Sequence, residues 1–469
     1  MKFMMQGELS HHDVQTMAQV FFHRIGFEVA DELPIDGLCL DVRNVGKAVI
    51  ARLYENGEIL QSFKALIDKD DPKGICRATK LAIFTVLAIH TDHRPPWGLL
   101  TGIRPTKIAT NLFDDGLSEA ETQHMLKTYY LVEHDRAALC THVARAQRDI
   151  VSTSPENAVS IYIAVPFCPS ICHYCSFSAY PMDKYVKYAD NYIVALIKEI
   201  EHIGRKSRNL NIYAENIYIG GGTPTALDDA GFERLLAAIA DNFAVDDVME
   251  YTIEAGRPDT ITIEKLALMR RYGVSRISIN PQTLNDATLE KIGRRHTVAQ
   301  FLDAYKMAQQ AGFDHINIDL ILGLPDETLD DVRRTLDGIA ALSPKSCTIH
   351  TLAIKRASRM HQEAEMPAHA EISQMRAMLG LSARYMSVLG LAPYYMYRQK
   401  NSPGNFENVG YAAPGYVGRY NIQMMEETQT ILAAGAGAVT KLVDTVQNRI
   451  ERIFNLRNPV DYLQKQGDL

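Results

Sequence analysis

The sequence predicts an α/β protein whose central part is an open, partial (β/α)6 barrel of the TIM type. From residue 159 onward, apolar segments of strand length alternate six times with helical patterns, which is typical of a parallel sheet with helical crossovers. Because a complete barrel has eight such repeats, six repeats predict a barrel that stays open. The predicted strands span 159–165, 216–220, 250–255, 276–280, 315–322 and 346–354, and the predicted helices span 183–205, 228–243, 262–272, 298–311, 329–342 and 371–389.

The sequence on either side of the barrel differs from it in composition and pattern. The chain is therefore predicted to have three parts: an α+β N-terminal domain over 1–150, the barrel over 156–392 and a C-terminal cap over 393–469. In the N-terminal domain, three strand-like segments separated by Asn- and Gly-containing turns precede three helical patterns. These segments are 38–42, 47–54 and 58–63, followed by helices over 74–90, 106–113 and 118–148. The cap is rich in aromatic, amide and basic residues and is predicted to close with a helix over 441–457.

Composition and charge exclude several classes of protein. The 469 residues are 46% hydrophobic and 22% charged, which are the proportions of an ordinary globular protein. The 49 basic and 56 acidic side chains leave a net charge of −7, which argues against a broad nucleic-acid-binding surface. No secretory leader pattern is evident, and the longest apolar run, 81–89, falls short of the ~18 residues that a membrane span needs. We therefore expect a cytoplasmic protein without a membrane span and without a nucleic-acid partner.

Three of the seven cysteines lie close together in the sequence. Cys168, Cys172 and Cys175 follow the first predicted barrel strand, whereas the other four are scattered. A disulfide framework explains this distribution poorly, and a metal or redox site in a reducing compartment explains it better. Two alternatives remain open from the residues alone. His173 could complete a four-ligand zinc site, or the three thiolates could hold a [4Fe–4S] cluster whose fourth iron stays open.

Glycine and polar residues follow the other predicted strands. Gly220-Gly221-Gly222-Thr223-Pro224 ends the second strand, where bare backbone amides could reach a charged ligand. Four polar side chains at or after the next strands are Glu254, Gln282, Arg294 and Asp319. A charged residue such as Asp319 in an otherwise apolar strand is costly to bury without a partner. Their shared position at consecutive strand ends predicts one common ligand.

The cysteine spacing, with the aromatic Tyr174 before the last thiol, resembles the radical S-adenosylmethionine (SAM) superfamily. This resemblance implies a [4Fe–4S] cluster with three Cys ligands, whose open iron is chelated by the amino and carboxylate groups of SAM. It further implies that reductive cleavage of SAM yields a 5′-deoxyadenosyl radical. The protein would hold the cofactor and exclude competing reactions.

The motifs as a set resemble the oxygen-independent coproporphyrinogen oxidase-like branch of that superfamily. They include Tyr162, Pro166-Phe167-Cys168, the glycine motif, and Asp319 to Pro325. The resemblance implies that the three cysteines and Tyr162 are catalytic and that one SAM molecule binds, with a second left open. The SAM-binding residues implied are Tyr162, Tyr174, Gly221, Gly222, Thr223, Glu254, Gln282, Arg294 and Asp319.

The same branch implies oxidative decarboxylation of two propionates of coproporphyrinogen III to vinyl groups, giving protoporphyrinogen IX in haem biosynthesis. A tetra-anionic substrate calls for cations, and Arg is suited to bidentate carboxylate contacts. The candidates for the propionates are Lys355, Arg356, Arg398 and Lys400, for which a solvated charged rim is an equal alternative. An electron donor such as flavodoxin or ferredoxin is also implied.

Two other functions remain within the branch: a haem-binding chaperone or carrier, and a radical SAM enzyme that opens the haem ring. The ligand is in each case a porphyrinogen or haem-type tetrapyrrole. One departure from the better-known oxidase bears on the substrate. That enzyme's motif has His two residues after the tyrosine, whereas Ala164 stands here. Whatever that histidine does in the oxidase is lost in this chain.

Overall fold

The computed structural model describes residues 1–22, 26–353, 358, 360, 369–399, 403–447 and 449–466. The chain divides into two compact units. The N-terminal unit comprises Met1–His142, Glu365–Ile372 and Tyr397–Glu407, and the barrel unit comprises Val143–Ala364, Ser373–Met396 and Asn408–Leu469. The segment predicted as a cap thus contributes residues to both units.

The N-terminal unit is a five-stranded sheet of order β2-β1-β3-β4-β5 with helices packed on it. Its strands are β1 (Lys2–Gln6), β2 (Glu28–Val29), β3 (Leu38–Asn44), β4 (Ala48–Glu55) and β5 (Glu58–Leu66). The helices that begin here are α1 (His11–Phe21), α2 (Gly74–Thr91), α3 (Thr106–Asp114), α4 (Glu119–Thr128) and α5 (His134–Val151). Apolar side chains of α1, α2 and the central strands form one continuous core.

The single helix predicted over 118–148 is two helices. Ser118 and Glu121 form a capping box that starts α4, and Leu131 has φ +57° between α4 and α5. A leucine in the left-handed region cannot continue an α-helix, so the chain turns there. The spacing of apolar residues over 118–148 does not indicate this break.

Among the described residues, one helix is long and apolar enough to cross a membrane when judged by length and composition alone. This helix is α2, and half of the window concerned is buried. Its Ala82, Ile83 and Leu87 are fully buried in the core of the N-terminal unit. Such packing is what the core helix of a globular unit shows.

The barrel unit alternates strands and helices as the sequence predicts. The strands that lie wholly or mostly in it are β6 (Ala158–Val165), β7 (Phe167–Cys168), β8 (Tyr180–Pro181), β9 (Tyr213–Gly221), β10 (Glu250–Glu254), β11 (Arg276–Ser278), β12 (His315–Leu322), β13 (Ser346–Thr351), β14 (Ala392–Arg398), β15 (Glu407–Ala412), β16 (Ile431–Ala434), β17 (Val439–Asp444) and β18 (Arg449–Phe454). Its helices are α6 (Met182–Asn209), α7 (Asp229–Asn242), α8 (Ile263–Arg271), α9 (Asp286–Lys291), α10 (Val298–Gln310), α11 (Leu329–Leu342), α12 (His369–Val388), α13 (Arg419–Glu426) and α14 (Pro459–Gln466).

Six consecutive parallel strands, in the order β6-β9-β10-β11-β12-β13, form the body of the sheet. The strand β6 is buried on both faces apart from Tyr162, as parallel strands covered by helices are. The predicted open, partial barrel is thereby confirmed. The structure adds a parallel neighbour, β16, on the free side of β6. The side chains of Ala433 and Ala438 pack against Ala164 there.

The closing helix predicted over 441–457 is wrong. That segment forms the antiparallel hairpin β17–β18, and Lys441 of β17 pairs with Ile431 of β16. The carboxylate of Asp444 accepts the amides of Val446 (3.0 Å) and Gln447 (2.9 Å) at the turn. Pairing with the edge of the barrel sheet therefore decides the conformation of a segment whose local pattern suits a helix as well.

Candidate active site

The Cys loop, residues 166–181, leaves strand β6 and carries the three clustered thiols. The short strands β7 and β8 pair with each other and close the loop. Within it the amide of Cys175 donates to the carbonyl of Cys172 (3.1 Å). Cys172 is buried, and Cys168 and Cys175 are partly buried. The thiols thus lie on one closed loop at the carboxyl end of a barrel strand, which is the end that carries the sites of such folds.

Burial dominates the chemistry of Cys168. It raises the pKa of the thiol to about 11, whereas the Thr223 hydroxyl, with Oγ1 3.5 Å from Sγ, lowers this pKa by less. The charges of Cys172 and Cys175 also raise the pKa, so the three thiols lie near enough to interact. A thiolate at this position is favoured only when a cation such as iron binds the sulfur.

The structure does not support the zinc alternative, in which His173 joins the thiols. Its Nδ1 donates to the carbonyl of Lys291 (2.9 Å), its amide donates to the carbonyl of Ile292 (2.9 Å), and its Nε2 packs on Gly293, where an added Cβ would lie 2.9 Å away. Over the described ranges, no three Cys, His, Asp or Glu side chains are arranged to hold a single metal ion. A four-iron cluster spaces its cysteine sulfurs more widely than a single ion does. The observation therefore counts against zinc and not against a cluster.

The glycine motif packs directly on the Cys loop. The amides of Gly222 and Thr223 donate to the carbonyls of Val165 (2.8 Å) and Phe167 (2.7 Å). A Cβ at Gly222 would lie 2.5 Å from the Phe167 carbonyl oxygen, so only glycine permits this approach. The expectation of bare amides is therefore wrong for Gly222 and Thr223, whose donors are already used. Gly221 beside them has φ +102°, and the Thr223 hydroxyl lies 3.5 Å from Cys168 Sγ.

Glu254 lies beside a stack of three tyrosine rings. The phenol of Tyr218 donates to the Glu254 carboxyl group. The Tyr218 and Tyr420 ring centroids are 4.4 Å apart, and the Tyr162 centroid is 6.2 Å from each. Gly220 leaves room for the carboxyl group, because a Cβ there would lie 3.0 Å from Glu254 Cδ. Burial raises the pKa of Glu254 to about 7, and the Tyr218 hydrogen bond opposes this only in part.

Asp319, on β12, is held in the ionised form. The Asn317 amide donates to its Oδ1 (2.7 Å), and His350 Nε2 lies 3.7 Å from its Oδ2. Burial alone would raise the pKa of Asp319, but the nearby His350 ring and the hydrogen bond from Asn317 outweigh it and lower the pKa. The site thus combines an ionised carboxylate with Glu254, whose proton is exchangeable near neutral pH.

Gln282 combines backbone strain with an unpaired side-chain atom. Its φ is +72°, in the region that glycine favours. Its amide donates to the carbonyl of Asp319 (3.1 Å), which fixes it beside β12. The side chain is 7% exposed, and its Oε1 has no hydrogen-bond partner in the part of the chain that the structure describes. A buried, unpaired acceptor on a strained residue is expected where a ligand supplies the missing donor.

Arg294 connects the Cys loop to the ends of β10 and β11. Its Nη1 donates to the carbonyls of Gly256 (3.1 Å) and Asn280 (2.7 Å), and its Nη2 donates to the Tyr174 hydroxyl (3.2 Å). The side chain is buried. Arg294 thereby orients the Cys loop through Tyr174, a role that spacing alone does not indicate.

Sequence reasoning missed three residues at this site: Tyr218, Tyr420 and Arg257. Tyr218 precedes Gly220 by two residues, so it shares that glycine's face of β9, and this alternation could have found it. Tyr420 comes from α13, far along the chain, and no pattern points to it. Arg257, directly after β10, donates from Nη1 toward Cys172 Sγ (3.8 Å).

The four cations expected to bind propionates are only partly described. Lys355, Arg356 and Lys400 lie outside the described residues. Arg398 is in the N-terminal unit, where its side chain is 4% exposed. Its guanidinium donates to the carbonyls of Asn405 (3.0 Å), Leu100 (2.5 Å) and Gly102 (3.3 Å). This position argues for a structural role of Arg398 and against propionate binding.

Comparison with known proteins places this geometry in a class. Residues 162–339 match the model of the radical SAM superfamily. The fold and the site thus define a radical SAM protein, and such proteins carry a [4Fe–4S] cluster and SAM. A protein of Bacillus subtilis (strain 168), the oxygen-independent coproporphyrinogen-III oxidase-like protein HemZ, is 35% identical over 465 residues. The match covers 97% of this chain and 93% of that protein, and the chain belongs to this HemZ-like family.

Two further relatives are similar over part of the chain. The haem chaperone HemW of Lactococcus lactis subsp. lactis (strain IL1403) is 31% identical over 60% of this chain and 68% of its own. A solved structure of coproporphyrinogen III oxidase (HemN) from Escherichia coli matches over 69% of this chain and 72% of its own, with a TM-score of 0.53 and 24% identity. At that identity the likeness shows a shared fold.

Proposed function

We propose that this chain is a radical SAM coproporphyrinogen dehydrogenase, which converts two propionates of coproporphyrinogen III to vinyl groups without oxygen. The observation that carries the proposal is the meeting of the Cys loop, the glycine motif, Glu254 and Gln282 at the carboxyl ends of neighbouring strands. The similarity to the HemZ-like protein over nearly the full length of both chains supports it. Radical SAM chemistry is common to the class, and the tetrapyrrole substrate is the proposed part.

The residues of the site suit both cofactors. Cys168, Cys172 and Cys175 would ligate three irons, and the fourth would face SAM. The unpaired Oε1 of Gln282 is a ready acceptor for a hydroxyl or amino group of SAM. The tight approach of Gly222 to the Cys loop keeps the thiols beside the proposed SAM site.

The bound cluster and SAM would supply one electron and a radical that removes a hydrogen atom from a propionate β-carbon. The protein's own contribution is positional. Stacked Tyr162, Tyr218 and Tyr420 would form an apolar wall that excludes water, and Asp319 would stay ionised as an acceptor for SAM hydroxyl groups. Glu254 would exchange a proton near neutral pH.

Completion of the reaction requires loss of carbon dioxide and transfer of one electron to an acceptor. Lys355, Arg356 and Lys400 remain the proposed propionate ligands. We further propose flavodoxin or ferredoxin as the electron donor and the cytoplasm as the location, since a [4Fe–4S] cluster with an open iron needs a reducing compartment.

A second candidate function is haem binding without porphyrin synthesis. Two observations favour it: the similarity to the HemW chaperone, and Ala164, which packs against small residues where the oxidase motif has histidine. The HemW similarity covers 60% of this chain against 97% for the HemZ-like protein. We therefore rank the dehydrogenase first.

The test is an anaerobic turnover assay on protein reconstituted with iron and sulfide, supplied with SAM, coproporphyrinogen III and a low-potential reductant. Product identification by mass spectrometry should show protoporphyrinogen IX and one carbon dioxide per vinyl group formed. A parallel titration with haem measures the chaperone function. Stoichiometric haem binding without any decarboxylated product would overturn the proposal in favour of the chaperone.

A further inference from the structure

We propose that Arg257 is a positioning residue that holds Cys172 and raises the reduction potential of the cluster. The inference rests on the proposed ligation of iron by Cys172. Arg257 follows strand β10 within the Glu254–Pro258 segment, and neither the cysteine spacing nor the SAM-binding motifs account for it. Its side chain is 3% exposed, so its charge must be matched inside the protein.

The guanidinium of Arg257 makes contacts along two of its edges. One edge faces Asp259, with Nε 3.1 Å from Oδ1 and Nη2 3.3 Å from Oδ2. The other edge faces the Cys loop, where Nη1 donates to the Ser170 carbonyl oxygen (3.2 Å) and lies 3.8 Å from Cys172 Sγ. Both terminal nitrogens also lie 3.2 Å from the Ser170 hydroxyl. The planar fork of arginine is what allows one side chain to serve both partners.

The chemistry of this contact favours a negative sulfur. Hydrogen bonds to cluster sulfurs and nearby positive charge are among the properties that set the potential of an iron–sulfur centre. Reduction adds negative charge to the cluster, so an N–H donor and a cation at Cys172 stabilise the reduced state more than the oxidised state.

Lysine would not replace Arg257 fully. An ammonium group keeps the charge, but it cannot contact Asp259 with two donors and reach the Cys loop at the same time. Arg257→Lys should therefore keep part of the electrostatic effect, and Arg257→Gln should lose all of it. Asp259→Asn removes a negative charge from the opposite edge, so it should shift the potential in the other direction.

The experiment is an anaerobic redox titration of the reconstituted full-length protein, followed by electron paramagnetic resonance of the reduced cluster. We expect Arg257→Gln to retain iron and sulfide while its midpoint becomes more negative. At the wild-type midpoint the ratio of reduced to oxidised cluster should fall about tenfold, equal to about 59 mV for one electron. We expect Asp259→Asn to shift the midpoint to more positive values.

Two controls separate tuning of the potential from collapse of the loop. Ser170→Ala removes the hydroxyl contacts but leaves the contact with the sulfur, so the midpoint should stay unchanged. Arg271→Gln, on the exposed end of α8, removes the same charge at a side chain that pairs with Glu233 at the surface and should change nothing. If Arg257→Gln and Asp259→Asn both leave the midpoint at the wild-type value, or shift it in the same direction, the inference is wrong.

The failure of this inference differs from the failure of the proposed function. Wild-type protein that holds no cluster, or a cluster that survives Cys172→Ala, would contradict the ligand assignment on which both depend. A wild-type cluster with an unchanged midpoint in Arg257→Gln would contradict the role of Arg257 alone. Loss of the cluster in Arg257→Gln and Arg257→Lys, with an unchanged midpoint in Asp259→Asn, would leave Arg257 a purely structural role and overturn the effect on the potential.

Discussion

The phenol of Tyr218 donates a hydrogen bond to the carboxyl group of Glu254 where two neighbouring strands end. Burial raises the pKa of this carboxyl group to about 7, although the hydrogen bond alone would favour its ionised form. On β12, Asp319 keeps a lowered pKa despite its burial, because the His350 ring lies close to its carboxylate and Asn317 donates a hydrogen bond to it. Of these two carboxyl groups, Asp319 is therefore ionised at neutral pH, whereas Glu254 titrates there.

The raised pKa of Glu254 predicts how the stability of the protein depends on pH. The folded pKa of Glu254, about 7, exceeds its ordinary value of 4.5. The stability that the group contributes is therefore complete below pH 4.5 and is lost as the pH rises through 7. Relative to Glu254→Gln, the free energy of unfolding of the wild type should fall over this range, by at most about 1.4 kcal/mol per pH unit. Urea denaturation of both proteins between pH 5 and 8 measures it, and a constant difference would contradict the raised pKa.

Gln282 predicts opposite effects on stability and on binding. Gln282→Gly removes the strain of a non-glycine residue at φ +72° and should stabilise the SAM-free protein by roughly 1 kcal/mol. The same change removes Oε1 and should weaken SAM binding about tenfold, the effect of one lost hydrogen bond. Gln282→Ala is the matched control, because it keeps the strain and loses the amide. Thermal denaturation measures the stability of the two variants, and calorimetric titration measures their affinity for SAM. Equal stabilities of Gln282→Gly and Gln282→Ala would count against stored strain.

Gly222→Ala should separate the glycine motif from the Cys loop. The added Cβ would lie 2.5 Å from the Phe167 carbonyl oxygen, a backbone atom that cannot move aside cheaply. We expect the variant to fold with reduced stability and to incorporate less than half the wild-type iron. Gly380→Ala in helix α12 is the control, because its nearest neighbour atom would be 3.8 Å away and alanine favours a helix. Wild-type iron content in Gly222→Ala would show that this close approach is unnecessary.

Single cysteine substitutions are expected either to abolish the cluster or to leave it intact. Cys168→Ala, Cys172→Ala and Cys175→Ala should each abolish the absorbance of the [4Fe–4S] cluster after anaerobic reconstitution, because a cluster with only two protein ligands is released. Cys347→Ala is a strict control, since that thiol is fully buried on β13 of the same unit. Cys39→Ala, Cys76→Ala and Cys140→Ala should also keep the cluster. Loss of the cluster in any of these four would contradict the assignment of ligands.

Arg398 predicts a loss of stability rather than a loss of substrate binding. Its guanidinium donates to three backbone carbonyls and lies 5.5 Å from the centroid of the Trp97 ring. Arg398→Ala leaves these buried acceptors unpaired and should cost on the order of 3 kcal/mol. Turnover and uncoupled SAM cleavage should then decline together as the fraction of folded protein falls. A stable variant with normal SAM cleavage and poor substrate use would restore the propionate role.

Errors of prediction occurred where distant partners decide the structure. The hairpin β17–β18 was expected to be a helix, because residues 441–457 lack glycine and proline and carry spaced apolar side chains. Its conformation depends on pairing of β17 with β16, an unpredicted strand that is itself held by pairing with β6, far earlier in the chain. Tyr420 was missed for the same reason, since it reaches the Tyr218 ring from a helix that follows the last predicted strand.

The sequence by itself determined the alternating architecture, the three clustered thiols and the positions of the polar residues after the strands. Periodicity and spacing are local properties, and parallel strands bring their carboxyl ends to one edge whatever the details. Only the tertiary structure decided which of these groups are free to act. In the folded protein the Gly222 and Thr223 amides donate to β6 and to the Cys loop, Gln282 Oε1 is left unpaired among the described residues, and Arg398 is buried. Hydrogen-bond partners and burial come from contacts between distant segments. They decide which carboxyl groups are protonated and which side chains can contact a ligand.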